Sequence, residues 1–367
     1  MITNKIKVLF LFPYITHYRD PIFCDLSKKF DLTVGHSGVL KKNKPYKQIK
    51  IPIRKIGSTN FHQQKTGKIN LQGNLKIFNQ FDIIVSEMNL RFIDRYFYIL
   101  LPSRKFAWVC WGIGITAPFK KNSITNYLKD FFRIKLFGMA DSLIFYSRYP
   151  LKYYKKYKIN TNKLFVANNT VKIKHKANFT YLKNIFLFVG TLYKQKGLDE
   201  IIDNYKEYLD NSKIKSKLII IGDGPDKTNL IRKVHSLSLS KYIIFINGTS
   251  DEKLLKKFYD RAIMNISLNQ AGLSVLSSFA YGVPFVTMKN SATGGERFNI
   301  KDKYNGLLLN KPIDLVNVFQ KSDKKTNYFI RMGKNAYQSY LNTASYQNMI
   351  SNIASGIIFA IKKKKII

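Results

Sequence analysis

Short apolar runs that read as buried strands alternate with segments whose apolar residues recur at helical spacing, and the alternation occurs twice along the chain. In the first half KIKVLFLF (5–12), DLTVGHSG (31–38), FDIIVSE (81–87), FAWVCWGIG (106–114) and DSLIFYS (141–147) read as strands. DPIFCDLSKKF (20–30), RFIDRYFYILL (91–101) and SITNYLKDFFRIKLFGMA (123–140) read as helices. The pattern breaks at KLFVANNTVKIKHKANFTYLKN (163–184), which ends a strand and turns polar and basic. It resumes with strands at IFLFVG (185–190), KLIIIGDG (217–224), YIIFING (242–248), IMNISLN (263–269) and PFVTM (284–288). Helices are expected at 198–209, 226–237 and 251–262, and terminal helices run to Lys365. Such alternation specifies an α/β fold of parallel sheets with crossover helices. The expected architecture is two Rossmann-like doubly wound domains, 1–172 and 185–345, joined by a linker at 173–184. The terminal helix and basic tail, 346–367, are expected to pack back toward the first domain, with ligand in the cleft between domains.

Charge narrows the partners. The 367 residues include 62 Lys+Arg and only 22 Asp+Glu, a net charge of +40. That field attracts polyanions such as nucleic acid, anionic lipid or phosphorylated substrates; a lysine-rich solvated surface is the simpler alternative. Against this background Ala262 to Met288 holds no charged residue. A membrane helix needs about 20 predominantly apolar residues; here Asn265, Asn269, Gln270, four serines, Gly282 and Pro284 intervene. The stretch reads instead as strand, loop, helix and strand, buried in a soluble fold. MITNKIKVLFLFPYI lacks the cleavage site of a signal peptide and flows into the first strand. Cys24 and Cys110 form no CxxC and read as buried thiols in a reducing cytoplasm. The five histidines have no ligand spacing, so no zinc site is expected.

Several phosphate motifs are excluded. There is no GxxxxGK[ST] and no DxD triplet. GIGITA (112–117) fits a permissive GxGxxA, but the acidic residue a nicotinamide fingerprint needs falls in a helix, at Asp130. VGTLYKQKG (189–197) is more informative: Gly190 ends a strand, Lys194 and Lys196 follow, and Gly197 precedes a helix. Backbone N–H groups and a lysine there suit a diphosphate. GDGP (222–225) and ING (246–248) put glycine at two further strand ends, where turn chemistry alone is the competing explanation.

The ordered set FVGxLxxxKG, IIIGDGP, FxxG, GLSVLxSFAYGVPFVT and NGLLL resembles retaining family 4 glycosyltransferases of the GT-B fold. PYITHYRDPIF (13–23), SEMNLRF (86–92), WGIG (111–114) and DSLIFYS with KLFVANNTV extend the resemblance to nearly the whole chain, toward members from surface-polysaccharide assembly. The resemblance implies metal-independent transfer, with retention, from a nucleotide sugar held by the second domain to a glycan or lipid-linked acceptor held by the first. It places donor binding at Gly190, Thr191, Lys194, Lys196, Gly222, Gly224, Gly248, Asn269, Ala271, Gly272, Leu273, Ser277 and Glu296. Acceptor contacts fall on His17, Tyr18, Arg19, Trp111 and Gly112, and the reacting group is expected to meet His17, Lys196 and Asn269.

Three positions depart from the pattern. The family's two loop-helix glutamates fall on Asn269 and Ser277, and its arginine on Thr191. Amide and hydroxyl can still hydrogen-bond sugar or ribose, but a charge-assisted bond is roughly twice as strong. Donor affinity or choice is therefore expected to differ, and a catalytically impaired binding protein is the rival within the fold. Aromatics beside cations at 91–106, 126–137 and 152–158, and the tail IIFAIKKKKII, suit a peripheral site on an anionic membrane at the inner face of the plasma membrane. They also suit single-stranded nucleic acid, though no nucleic-acid fold signature accompanies them, and no specific nucleic acid is expected.

Overall fold

A computed structural model describes residues 5–51, 71–92, 94–116 and 124–364. The described residues up to 116, with 124–168 and 347–364, form one compact unit; residues 169–346 form the other.

The first unit holds seven strands: β1 Lys7–Leu11, β2 Asp31–His36, β3 Lys47–Lys50, β4 Ile83–Glu87, β5 Ala107–Gly112, β6 Ser142–Phe145 and β7 Leu164–Val166. All run parallel, in the order β3-β2-β1-β4-β5-β6-β7. Its helices include α1 Asp20–Leu26, α2 Leu71–Phe78, α3 Asp94–Leu100, α4 Ile124–Phe137 and α5 Leu151–Lys156. A parallel sheet is covered on both faces, so its central strands are apolar without alternation. Val8, Leu9, Phe10, Ile83, Ile84 and Val85 are accordingly fully buried. The edge strand β3, KQIK, was not readable: it is half exposed and carries lysine at both ends, as an edge that resists pairing with another chain should.

The second unit holds β8 Ile185–Val189, β9 Lys217–Ile221, β10 Ile243–Ile246, β11 Ala262–Ile266, β12 Phe285–Met288 and β13 Gly306–Leu309. They too are parallel, in the order β10-β9-β8-β11-β12-β13. Its helices are α6 Leu198–Asn211, α7 Lys227–Ser236, α8 Glu252–Arg261, α9 Ser274–Ala280, α10 Asp314–Lys324 and α11 Thr326–Ser339. The uncharged stretch is the strand, loop, helix and strand expected, namely β11, α9 and β12. Its polar groups are consumed internally: Ser278 Oγ donates to Val283 O (2.9 Å) and Thr287 Oγ1 to Leu268 O (3.0 Å). On β11, the buried face of α9 and β12 a charge would be buried without a counter-ion, which accounts for neutrality there.

The last helix, α12 Tyr346–Lys364, belongs from residue 347 to the first unit. A Cβ on Gly356 would lie 2.8 Å from Ile144 on β6, and the Phe359 ring packs 5.6 Å from that of Phe165 on β7. Glycine thus lets the helix sit close against the sheet. Among the described residues no helix is long and apolar enough to cross a membrane. Of the two thiols expected to be buried, Cys110 is, with its pKa pushed up to about 12 by desolvation, whereas Cys24, within α1, is only partly covered.

Each sheet has one point where the strand order reverses, β1 against β4 in the first and β8 against β11 in the second. Loops diverge there at the carboxyl ends of the strands, the place where open α/β sheets bind ligands.

Candidate functional site

In the second unit the expected donor residues converge on the β8/β11 reversal. After β8 the chain passes Gly190 and an exposed Thr191, makes a 3-10 turn at Lys194–Lys196, and enters α6 through Gly197. Gly197 has φ +72°, the left-handed region where a side chain is strained. The β8 loop lies directly on the β9 loop. Leu192 N–H donates to Asp223 O (2.9 Å), and Asp226 N–H donates to Leu192 O (3.1 Å). A Cβ on Gly222 would sit 1.9 Å from Gly190 O, and one on Gly224 2.1 Å from Leu192 O. These two glycines therefore serve close backbone approach, more than a tight turn. The Asp223 carboxylate ties in the β10 end, accepting from Gly248 N–H (2.6 Å) and pairing with Lys227 (2.6 Å).

Lys196 is the chemically distinctive group. Desolvation lowers its pKa to about 8, only partly opposed by the charge of Glu296. Among the described residues its ammonium has no hydrogen-bond or ion-pair partner; the Tyr193 ring lies 5.6 Å away. Lys194, two residues earlier, is exposed and faces water instead. Glu296 is 3% exposed. Its Oε1 accepts from Asn169 Nδ2 (2.8 Å) and its Oε2 from Thr293 Oγ1 (3.3 Å), while burial raises its pKa. Gly295 N–H donates to Thr293 Oγ1 (3.0 Å) and is thus already engaged within its own turn. Ala271 N–H is likewise spent on Ala292 O (2.8 Å), whereas Gly272 faces open space. Leu273 caps α9 at its N-terminus, and Ser277 Oγ donates back to Leu273 O (3.2 Å), which leaves its lone pairs as acceptors.

In the first unit the candidate acceptor residues gather near the β1/β4 reversal and the end of β5. His17 is exposed and stands edge-on to Tyr18, ring centroids 5.5 Å apart. Arg19 and Trp111 are buried beside each other, the guanidinium carbon 4.3 Å from the indole centroid. Gly112 is there for space: a Cβ would meet Met88 Cβ at 2.8 Å. Among the described residues no three or more His, Cys, Asp or Glu side chains are grouped to hold a metal ion.

Residues 170–339, nearly the whole second unit, match the family model described as glycosyl transferases group 1. The second unit thus carries the pattern of that family. The chain is 27% identical over 135 residues to alpha-monoglucosyldiacylglycerol synthase of Acholeplasma laidlawii, covering 36% of this chain. The match spans only a third (33%) of that relative's length. Among solved structures, HepE of Anabaena in complex with UDP has a TM-score of 0.71 at 15% identity, covering 96% of this chain and all (100%) of that one. The lipopolysaccharide outer core galactosyltransferase WaaB, in its apo form, has a TM-score of 0.65 at 16% identity, covering 96% and 99%. These likenesses identify the fold as GT-B.

The structure adds one residue to this candidate site that the sequence did not reveal. Asn269 Nδ2 donates to Glu200 Oε1 (3.0 Å), in the first turn of α6. A Cβ on Gly197 would lie 2.8 Å from the same amide nitrogen, so glycine clears the space for the pair. A carboxylate thus stands beside the neutral position 269 after all, delivered by a different helix. The signal was faint: one acidic residue three places after KG, 69 positions from its partner.

Proposed function

We propose that this chain transfers a sugar, with retention, from a nucleotide-sugar donor bound by the second unit to an acceptor bound by the first. Lys196 carries the reading. A desolvated, unpartnered ammonium at the β8/β11 reversal is the complement of a diphosphate. Breaking the bond between the anomeric carbon and the phosphate oxygen leaves negative charge on the nucleoside diphosphate. A preorganised cation there stabilises that charge where it develops. The arriving diphosphate also raises the lysine pKa and keeps it protonated. The acceptor hydroxyl then attacks the same face, passing its proton to a donor phosphate oxygen. Glu296, held by Asn169 and Thr293, and the Glu200–Asn269 pair offer acceptors for sugar or ribose hydroxyls.

HepE structures hold UDP and UDP-glucose by name, which makes UDP-sugars the first donors to try. The acceptor reading is a glycan or lipid-linked glycan of surface polysaccharide assembly, reached at an anionic membrane on the cytoplasmic side. Supporting it, α3 and α4 expose Phe97 (52%), Leu100 (50%), Tyr127 (59%), Leu128 (51%) and Phe132 (65%), with Lys129 and Lys135 exposed among them. Apolar residues interleaved with lysine suit an anionic interface. Flotation with anionic but not neutral liposomes, weakened in Phe132→Ser, is expected; equal flotation with both rejects the membrane part.

The donor reading is tested by thermal shift across nucleotides and nucleotide sugars, followed by NMR of the product's anomeric proton. A ligand at 100 times its Kd stabilises by about 2.7 kcal/mol. One nucleotide series should stabilise and its sugar should be transferred with retained configuration. A folded protein that binds none of the series refutes the donor reading; binding without turnover against any glycan or lipid acceptor favours the impaired binding protein instead.

A further inference from the structure

Arg19 is a buried cation with no counter-ion. It is 5% exposed, and among the described residues no carboxylate lies within ion-pair distance of it. Its neighbour Asp20 is committed elsewhere, to Lys44 (2.5 Å) and Tyr46 (2.6 Å). Four rings surround the guanidinium instead: Trp111 at 4.3 Å, Tyr146 at 5.0 Å, Tyr18 at 5.5 Å and Phe12 at 5.8 Å. One nitrogen is satisfied, Nη2 donating to the Tyr146 hydroxyl at 2.7 Å. The other is not: Nη1 is buried without a hydrogen-bond partner, and so are Trp111 Nε1 and Thr16 Oγ1.

Cation–π contacts compensate part of the desolvation of a buried guanidinium, but they satisfy none of its N–H donors. An unpaired buried charge is normally strongly disfavoured. Here it persists beside an indole N–H that also lacks an acceptor. Residues 12–19 follow β1 and Trp111 lies on β5 next to its end, so the donors occupy the ligand-binding edge of this sheet. An oxyanion with several acceptor oxygens would satisfy both donors at once. A planar guanidinium with a free edge matches a phosphoryl group better than it matches a sugar hydroxyl.

We propose that Arg19 Nη1 and Trp111 Nε1 bind a phosphoryl group carried by the acceptor. This rests on the reading that the first unit takes the acceptor, and it adds the acceptor's chemical class: a phosphate or diphosphate ester. The ester's source is either a lipid phosphate or a water-soluble sugar phosphate.

Trp108 and Trp111 are the only tryptophans, so a 15N-labelled sample gives two indole N–H signals. Trp108, whose Nε1 is also buried without a hydrogen-bond partner, lies in the core cluster with Cys110 and has no contact with the Arg19 guanidinium among the ring contacts above; it serves as the internal control. The protein is titrated with methyl phosphate, dodecyl phosphate below its micelle concentration, and sodium chloride at matched ionic strength. The Trp111 signal is expected to shift saturably with a phosphate ester while the Trp108 signal stays put. Tighter binding of dodecyl phosphate points to a lipid source, and equal binding to a soluble one. Arg19→Met should weaken the ester by about tenfold or more, while UDP binding by the second unit is unchanged. Trp111→Phe keeps the ring, loses the donor, and should weaken the ester as followed by calorimetry. The proposal is overturned by a Trp111 signal that ignores both esters, by an equal shift with chloride, or by Arg19→Met and Trp111→Phe proteins that bind like wild type. Loss of UDP binding in the wild type would instead strike the donor reading, leaving the two failures distinguishable.

Discussion

After β8 the backbone itself forms the binding edge, whereas around β1 and β5 side chains do. In the second unit Gly222 and Gly224 bring two loops into main-chain contact, and the first of these loops carries the desolvated Lys196. In the first unit rings from Phe12, Tyr18, Trp111 and Tyr146 fill the corresponding edge around a guanidinium. The same sheet topology thus carries two differently built edges, which under the proposed function would recognise their ligands in two ways. Backbone approach suits a ligand part that is always the same, such as a diphosphate. A side-chain box is easily altered by substitution and suits the variable partner.

The largest effect that would break this contrast is at Lys196. Lys196→Met should lower kcat/KM by about 100- to 1000-fold, in steady-state assays with the donor identified by thermal shift. A loss below threefold would show that the lysine is only a buried helper. The pH profile sharpens the same point. In the free protein the folded-state pKa of Lys196, about 8, lies below its ordinary 10.5. The unfolded chain therefore holds more protons between those values, and this lysine's contribution to stability rises as pH increases through that window. Nucleotide binding should run the other way and weaken above about pH 8, because the neutral amine no longer attracts phosphate. Lys196→Met should flatten both trends.

Next in size is the glycine packing. Gly224→Ala should cost about 1–3 kcal/mol in chemical denaturation and displace the Lys196 loop, because backbone cannot yield as a side chain can. Gly272→Ala, with nothing within 4 Å of its Cβ, should change stability by no more than about 0.5 kcal/mol. Equal costs at the two sites would mean that close approach is not what the first glycine supplies. Smaller still is Glu200→Gln, expected to weaken donor binding about five- to tenfold by calorimetry, while leaving folding intact. An unchanged affinity would make the Glu200–Asn269 pair purely structural.

The fold was legible where local pattern carries it. Strands such as IFLFV and KLIII are apolar because both faces are covered, and α6 and α8 announce themselves by helical spacing. β3, α2 and α5 were missed: the first is a polar edge, the second an eight-residue helix interrupted by Gly73, the third a six-residue helix rich in lysine and tyrosine. At the site, glycine positions were visible but their reason was not. That Gly222 meets Gly190 O, or that Asn269 meets Glu200, depends on contacts between loops far apart in sequence. The buried charge at Arg19 was similarly hidden, since its four rings come from three separate segments. Local spacing reports which elements form; the pairing of their ends decides which side chains are left without partners.

The first experiment is calorimetric titration of UDP into wild type and Lys196→Met at pH 7. Saturable binding by wild type, at least about tenfold weaker in the variant, is the expected result. Equal affinities in two folded proteins would contradict the assignment of Lys196 as the phosphate-binding cation.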